Sequence, residues 1–295
     1  MNKAQADTDT LHFTILGCAS SGGVPRIGND WGACDPNEPK NRRRRCSLLV
    51  RRRNANGETR VLIDTSPDLR EQLLSAHVGA LDGVLFTHEH ADHIHGIDDL
   101  RAVYFNMGRK RVPVYANART AEMLQSRFGY CFATPANSPY PPILELNLLL
   151  AGRAVAISGA GGPVVATPME LEHGIIRSYG FRIGNLAYTP DLNGIPEESL
   201  PLLENLDVWI VDALRPGPKP HPTHFVLEEA LKWIERLRPR RAILTNLHVL
   251  MDYATLKSQL PAHIEPAHDG LEITLSAEGM DAEVTATPAS GEVSE

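Results

Sequence analysis

The sequence predicts an α/β protein in which two β-sheets pack together and helices cover their outer faces. Short β-rich runs separated by turns recur along the whole chain and outnumber the stretches with helical periodicity. The 295 residues are 42% hydrophobic and 22% charged, which is typical of a soluble globular chain with a large core. Because each strand or helix must bury an apolar face, this element content favours two packed sheets with helices outside.

The predicted elements follow from periodicity along the chain. Apolar, β-branched runs predict strands at 12–16, 47–50, 60–64, 83–87, 112–116, 164–167, 179–183, 186–189, 208–213 and 241–245. Apolar residues near i, i+3 and i+4 predict helices at 67–78, 119–128 and 225–237. The strand-rich texture of both halves predicts one domain over residues 11–277.

Both ends of the chain are predicted to be disordered. Residues 1–10 are polar, and residues 278–295 hold five acids, no bases and few large apolar residues. Without these ends the net charge of −7 becomes nearly neutral, which argues against a general nucleic-acid binder. We expect a cytoplasmic protein without a membrane partner, because there is no apolar run of membrane-span length, no secretory signal and no disulfide framework among the four cysteines.

The segment that carries chemistry directly follows the predicted strand 83–87. It presents four potential metal ligands within six residues: His88, His90, Asp92 and His93. Alternate residues of an extended segment face the same way, so His88 and His90 can reach one ion while a turn presents Asp92 and His93 to a second. Imidazole with carboxylate oxygen is the ligand set of Zn²⁺ or Mn²⁺ in hydrolytic sites. The alternative is a surface loop that happens to be rich in histidine. The full string directly after a strand favours a metal site far more than a pair of histidines would.

This H-x-H-x-D-H string resembles the signature of the metallo-β-lactamase superfamily. The resemblance implies a four-layer αββα sandwich with a one- or two-metal site between the sheets. Three later residues have the types and order that the family expects near strand ends, namely His173, Asp191 and His248.

The same resemblance implies a role for each ligand of two divalent ions, Zn²⁺ or Mn²⁺. One ion is held by His88, His90 and His173. The other is held by Asp92, His93 and His248, and Asp191 bridges both. Asp64 matches the family's first acidic motif, which implies that it accepts hydrogen bonds that orient the ligand loop.

A narrower resemblance is to the cyclic-phosphate phosphodiesterases of phosphonate degradation and to the tRNA 3′-processing endonucleases. It rests on LGCASSGGVPR at 16–26, HADHIHGIDDLR at 90–101 and HPTHFVLEEAL at 221–231. The small residues Ser20, Ser21 and Gly22 let backbone N–H groups approach a substrate anion, although a plain tight turn explains them equally well.

His224 precedes a predicted helix, and in the resembled enzymes a histidine in this place contacts the scissile phosphate or protonates the leaving oxygen. We therefore expect His224 and Asp92 to be catalytic and His221 to contact the substrate. Since His221 is only three residues away, the assignment between the two histidines stays open.

The function expected from these features is phosphodiester hydrolysis through a metal-bridging hydroxide. The substrate is a small cyclic phosphate, a nucleotide or a short oligonucleotide rather than folded RNA, because no long Gly- and Lys-rich arm interrupts the strands. A tRNA 3′-processing-type endoribonuclease, a thioesterase or a lactamase is the alternative. A diiron redox member of the fold would need a glutamate where His90 stands. Whether the chain forms a homodimer is left open.

Two features depart from the resembled phosphodiesterases or remain ambiguous. The cysteine stretch that builds a structural zinc site corresponds here to Asn29, Trp31 and Cys34, so Cys34 and Cys46 cannot assemble a four-ligand site locally. The seven arginines between residues 42 and 53 form either a phosphate-attracting patch or a solvated loop that acids elsewhere compensate.

Overall fold

In the part of the chain that the structure describes, fourteen strands form two sheets of seven strands each. The strands are β1 (Thr10–Gly17), β2 (Ser47–Asn54), β3 (Gly57–Ile63), β4 (Gly83–Leu85), β5 (Val112–Ala116), β6 (Leu144–Leu148), β7 (Val155–Ile157), β8 (Val164–His173), β9 (Ile176–Ile183), β10 (Leu186–Thr189), β11 (Val208–Asp212), β12 (Arg241–Thr245), β13 (Ile264–Pro266) and β14 (Glu272–Ser276). The first sheet has the order β14-β1-β2-β3-β4-β5-β6, and the second has the order β13-β12-β11-β10-β9-β8-β7. This is a computed structural model that describes residues 9–278.

Side-chain alternation along the strands builds the layers. In β2, Leu48 and Val50 pack into the core between the sheets, where they join Phe181 and Ile210 of the second sheet. The residue between them, Leu49, faces the other way and packs with the helices outside the first sheet. Because successive strand residues point to opposite faces, one apolar strand can serve two cores.

The described residues form six α-helices, which cover the outer faces of the sheets. They are α1 (Leu69–Ser75), α2 (Ala91–Ile94), α3 (Leu100–Asn106), α4 (Ala118–Phe132), α5 (Leu227–Leu237) and α6 (Tyr253–Gln259). Residues of α1, α3 and α4 pack on the first sheet, and residues of α5 and α6 pack on the second. The predicted αββα sandwich is confirmed.

The predicted ends of the chain lie almost entirely outside the described residues. Only Asp9, Thr10 and Glu278 of the two segments are described, and β1 already begins at Thr10. The disorder expected of 1–10 and 278–295 therefore stays a prediction. Among residues 9–278, no helix has the length and apolarity needed to cross a bilayer.

The arginine-rich segment is part of the fold. Acids elsewhere in the chain compensate its positive charge, as the second interpretation expects. Arg44 pairs with Asp269 and Arg45 pairs with Asp68, both at 2.9 Å. Arg43 is buried rather than solvated, and its guanidinium donates to Asn41 at 3.0 Å and lies 3.9 Å from the Cys34 thiol. Within the described range, neither Cys34 nor Cys46 belongs to a group of potential metal ligands.

Asp252 joins the loop before β2 to α6. Its carboxylate caps the helix by accepting a hydrogen bond from the Thr255 N–H at 2.9 Å, and it also accepts from the Asn41 amide at 2.7 Å. Burial alone would raise the pKa of Asp252, but the hydrogen bonds from Thr255, Asn41 and Asp35 outweigh it and lower the pKa to about 2.

Asp252→Ala is expected to lower the free energy of unfolding near neutral pH by about 1 kcal/mol, the usual effect of losing such a cap. Since the pKa is lower in the folded state, the contribution is present above the ordinary value of 3.8 and is lost as the pH falls towards 2. Urea unfolding across this pH range measures the difference. Asp252→Asn keeps an acceptor oxygen without the charge, so it should retain part of the cap and lose the pH dependence. A difference between wild type and Asp252→Ala that does not shrink in acid would contradict this role.

Candidate metal centre

Polar residues from both sheets meet where their strands end. The segment after β4 carries the histidines that begin at His88, β8 ends at His173, and Asp191 follows β10. In the second sheet β11 ends at Asp212, and Asn246 follows β12. Residues at and beyond the strand ends can turn their side chains toward this common edge of the packed sheets. A polar site can therefore form there.

Four of the predicted ligands form one cluster. One ligand atom each of His88, His90, His173 and Asp191 lies within 4.8 Å of all the others. The Asp191 carboxylate lies 3.8 Å from His88 Nε2 and 3.7 Å from His173 Nε2, and His90 Nδ1 lies 3.1 Å from His173 Nε2. His88, His173 and Asp191 are buried.

A second group adjoins the first through Asp191. His93 Nε2 lies 3.2 Å from Asp191 Oδ1 and 3.5 Å from Asp92 Oδ2. Asp191 therefore lies between the two groups, and its bridging of two ions stays a prediction.

Asp64 contacts the second group on the side away from the cluster, at His93 Nδ1 and at Thr87. Its carboxylate lies 2.7 Å from His93 Nδ1, and it accepts hydrogen bonds from the Thr87 backbone N–H and hydroxyl, both at 2.8 Å. The Thr87 hydroxyl also lies 2.9 Å from His88 Nδ1. Because these contacts occupy the Nδ1 atoms, the Nε2 atoms of His88 and His93 face the cluster.

The donor set fits a divalent metal ion. His88 Nε2, His93 Nε2 and Asp191 Oδ1 are buried and have no hydrogen-bond partner among residues 9–278. Burying polar atoms without partners is costly, and the atoms converge as ligands of a common ion do.

The charge states of the first group suit metal binding. Burial and the neighbouring His93 hold the pKa of His88 well below its usual value, and burial lowers the pKa of His173 to about 4. Burial would raise the pKa of Asp191, but the surrounding histidines, His93 first, hold it well below its usual range. Neutral imidazoles and an ionised carboxylate are the forms that bind metal. In the second group, burial alone would lower the pKa of His93, but Asp191, Asp92 and Asp64 hold it well above its usual value, so an ion bound there would displace a proton.

A cavity of about 300 Å³ opens onto the cluster. Eleven of the twelve residues of its wall are polar, and they include the expected substrate contacts Ser20, Ser21 and His221. Gly22 does not line it, and instead lies beside Arg26: a Cβ at Gly22 would stand 3.1 Å from Arg26 Nε. The substrate contact expected at Gly22 therefore stays a prediction.

His224 lies in this cavity and is held by an acid that the sequence analysis missed. His224 Nδ1 lies 2.8 Å from Asp212 Oδ2 and 3.8 Å from Asp191 Oδ2. Burial alone would lower the pKa of His224, but Asp212 and then Asp191 raise it to about 9. Asp212 ends a buried strand, as Asp64 and Asp191 follow theirs, and that shared signal could have identified it.

His248 is the predicted ligand that the structure does not bring to the cluster. It lines the cavity, but its Nε2 contacts the guanidinium of Arg26 and its Nδ1 accepts from the Leu250 N–H at 3.2 Å. The chain turns at Asn246, whose φ is +60°, and the Asn246 amide lies 3.0 Å from His224 Nδ1. Asn246, and not His248, therefore reaches the interior of the site, and the role of His248 as a ligand remains a prediction without a supporting contact.

Comparisons with known proteins agree with this geometry. The model of the beta-lactamase superfamily domain matches residues 59–248. A diphosphatase of the PhnP family has a similar solved structure, with 36% identity, a TM-score of 0.80, and coverage of 90% of this chain and 97% of that one. The short form of human tRNase Z, at 15% identity and a TM-score of 0.60, covers 89% of this chain and 98% of its own, and it supports the fold alone.

A curated relative is the octanoyltransferase of Porphyromonas gingivalis (strain ATCC BAA-308 / W83), 31% identical over 274 residues. The match covers 92% of this chain and 53% of the relative, so the chain spans about half the length of that protein. With the family model over most of the two sheets and the histidine and aspartate cluster at their edge, the chain belongs to the β-lactamase superfamily and has the metallo-β-lactamase fold.

Proposed function

We propose that this chain is a dinuclear metal-dependent phosphodiesterase that cleaves a small cyclic phosphate, a nucleotide or a short oligonucleotide. The observation that carries the proposal is the cavity that joins the metal-ligand cluster to the His224–Asp212 pair. An ion site that neutralises a phosphate and a protonated imidazole beside it are the two parts that phosphodiester cleavage requires. The 36% identity to a diphosphatase of the PhnP family supports hydrolysis at a phosphorus centre.

The residues of the two groups would hold the ions. His88, His90, His173 and Asp191 would hold one, and Asp92, His93 and Asp191 would hold the other. Divalent ions bound there supply Lewis acidity toward the phosphate oxygens and make hydroxide available near neutral pH.

The side chains around the ions position and protonate the substrate. Ser20 and Ser21 can donate hydrogen bonds to non-bridging phosphate oxygens from the cavity wall. Asp212 fixes Nδ1 of His224, so Nε2 is the ring nitrogen that can give a proton to the leaving alkoxide. The carboxylate of Asp92 also lines the cavity and can accept a proton from the attacking water.

The size of the cavity favours a small substrate. About 300 Å³ is at the lower end of small-molecule sites and holds a nucleotide-sized group rather than folded RNA. The octanoyltransferase name belongs to a relative of which this chain spans about half. An acyl thioester is therefore included among the substrates compared in the test.

A matched substrate panel tests the proposal. Protein reloaded with Zn²⁺ or Mn²⁺ is expected to hydrolyse bis-p-nitrophenyl phosphate at least about tenfold better in kcat/KM than p-nitrophenyl phosphate, a chromogenic β-lactam or an octanoyl thioester, because the site is arranged for a phosphodiester transition state. Chelator-treated protein is the control for metal dependence. A thioester or β-lactam as the best substrate would contradict the proposed function.

A further inference from the structure

Glu89 is a buried acid that the proposed reaction does not use. It stands between two ligands of the first group, His88 and His90, and its carboxylate contacts helix α4 while the two imidazoles face the cluster. Resting on the ligand set of the proposed function, we propose that Glu89, which Arg119 and Arg127 of α4 hold in place, is a positioning residue. It fixes His90 and thereby sets the affinity of the protein for the first ion.

Helix α4 holds Glu89 at two points. At the side chain, Arg119 Nε donates to Glu89 Oε1 at 2.6 Å, and the Thr120 hydroxyl lies 3.5 Å from Glu89 Oε2. At the backbone, Arg127 Nη1 donates to the Glu89 carbonyl oxygen at 2.8 Å. Because the carboxylate and the carbonyl are both held, Glu89 cannot move without breaking a contact with α4.

The first turn of α4 is a firm support for this carboxylate. Asn117 caps the helix by accepting from the Thr120 N–H at 2.8 Å, and Thr120 is buried. The carboxylate lies beside this turn, where the helix dipole favours negative charge. Among residues 9–278, Arg119 is the one cation that pairs with Glu89, whose side chain is only 6% exposed. Since a buried carboxylate without a partner is costly, Glu89 depends on this pair more than an exposed acid would.

His90 needs this support more than the other ligands do. His173 Nδ1 lies 2.6 Å from the Thr223 carbonyl oxygen, and the Nδ1 atoms of His88 and His93 contact Thr87 and Asp64. The His90 ring is exposed, and its one hydrogen-bonding neighbour in the described range is His173, at 3.1 Å within the cluster. The orientation of His90 therefore has to be fixed through its backbone.

The backbone is held on both sides of His90. The carbonyl that Arg127 contacts belongs to the planar peptide unit joining Glu89 to His90, so this hydrogen bond restrains His90 directly. On the other side, the His90 carbonyl accepts from the N–H groups of His93 and Ile94 at 3.0 and 3.2 Å, where α2 begins. Removing the α4 contacts releases the first of these two restraints and leaves the second.

The second ion does not share the support from α4. Its proposed ligand His93 is held at Nδ1 by Asp64, which lies 2.7 Å away and belongs to the segment after β3. Outer contacts of metal ligands change metal affinity by roughly 10- to 100-fold. Loss of the α4 contacts is therefore expected to weaken one of the two ions selectively.

Competition of Zn²⁺ between the protein and a chromogenic chelator measures this. Arg127→Ala and Glu89→Gln are expected to weaken the binding of one ion by about tenfold or more and to leave the other unchanged. Arg127→Lys keeps a donor for the carbonyl and should restore part of the affinity. Glu122→Ala changes an exposed acid of the same helix and should keep both wild-type affinities. Because Arg127 is exposed, its alanine variant tests the contact even where Glu89→Gln does not fold.

Two further measurements separate positioning from general damage. Arg119→Ala should resemble Glu89→Gln, and the double variant should add little to either, because both changes break one ion pair. Saturating Zn²⁺ should restore hydrolysis of bis-p-nitrophenyl phosphate in all of these variants, since the groups that contact the substrate remain.

The outcomes distinguish this role from the proposed function. The selective loss of one ion without hydrolysis of any diester by the wild type would overturn the phosphodiesterase and keep the role of Glu89. Unchanged Zn²⁺ affinity in Arg127→Ala and Glu89→Gln would overturn the role of Glu89. Equal weakening of both ions, the same weakening in Glu122→Ala, or a loss of hydrolysis that saturating Zn²⁺ does not restore would overturn it too.

Discussion

Asp191→Ala is expected to lower the transition-metal content of the purified protein from about two ions per chain to about one or less. Asp191 approaches His88 and His173 with one oxygen and His93 with the other, so its removal takes an anion from both groups at once. The first group then keeps only imidazoles, and Asp92 is the one carboxylate left among the proposed ligands of the second. Metal analysis after dialysis, together with hydrolysis of bis-p-nitrophenyl phosphate, measures the loss.

Two further variants make this measurement specific. Asp98→Ala changes an aspartate whose side chain is 56% exposed and pairs with Arg101, and it should keep the wild-type metal content. His248→Ala tests the contact seen in the structure. Because His248 Nε2 contacts Arg26, removal of this imidazole should leave both ions in place. Full metal content in Asp191→Ala would remove Asp191 from the bridge, and loss of an ion in His248→Ala would restore His248 as a ligand.

Much of the site could be predicted because its residues stand at strand ends that the hydrophobic pattern reveals. The apolar pattern of β4 and the string after it predict that His88 to His93 lie at a strand end. The buried strands β8 and β10 predict the same for His173 and Asp191. Each ligand follows a run long and apolar enough to be recognised, and alternation then decides which face it takes. The predicted layers were confirmed for the same reason, since the strands that form the central core are the most apolar ones.

The elements and residues that were missed depend on contacts between distant parts of the chain. β13 has three residues and ends in a proline, and β14 is a polar edge strand that pairs with β1. Such strands are stabilised by their neighbours rather than by their own pattern. The positions of Asn246 and His248 depend on a left-handed turn after β12, and the position of Arg26 depends on the space beside Gly22. Strand-end order alone cannot tell which of two polar residues in a turn faces the site.

His221 and His224 line the same cavity, but their surroundings differ. His224 lies between Asp212 and the metal cluster, with Nδ1 at 2.8 Å from Asp212 Oδ2. His221 uses Nδ1 to accept from the Thr223 N–H at 3.3 Å, and no carboxylate among the described residues pairs with it. A general acid needs a proton near neutral pH and a fixed direction, and only His224 has the buried acid that supplies both. His221 is expected to contact the substrate from the cavity wall.

His224→Ala is therefore expected to retain metal and to lose on the order of 10²-fold or more in kcat, the usual scale for removing a general acid. The loss should be largest for a diester with a poor alkoxide leaving group and should shrink for a nitrophenolate, which departs without a proton. His221→Ala should show a smaller effect, mostly in KM, and Asp212→Asn should follow His224→Ala in its dependence on the leaving group, because Asp212 acts by holding the imidazole. The comparison of kcat across leaving groups in the three variants measures this. The reverse pattern would assign the acid to His221, and equal loss of metal in the two alanine variants would mean that both histidines support the site rather than the proton transfer.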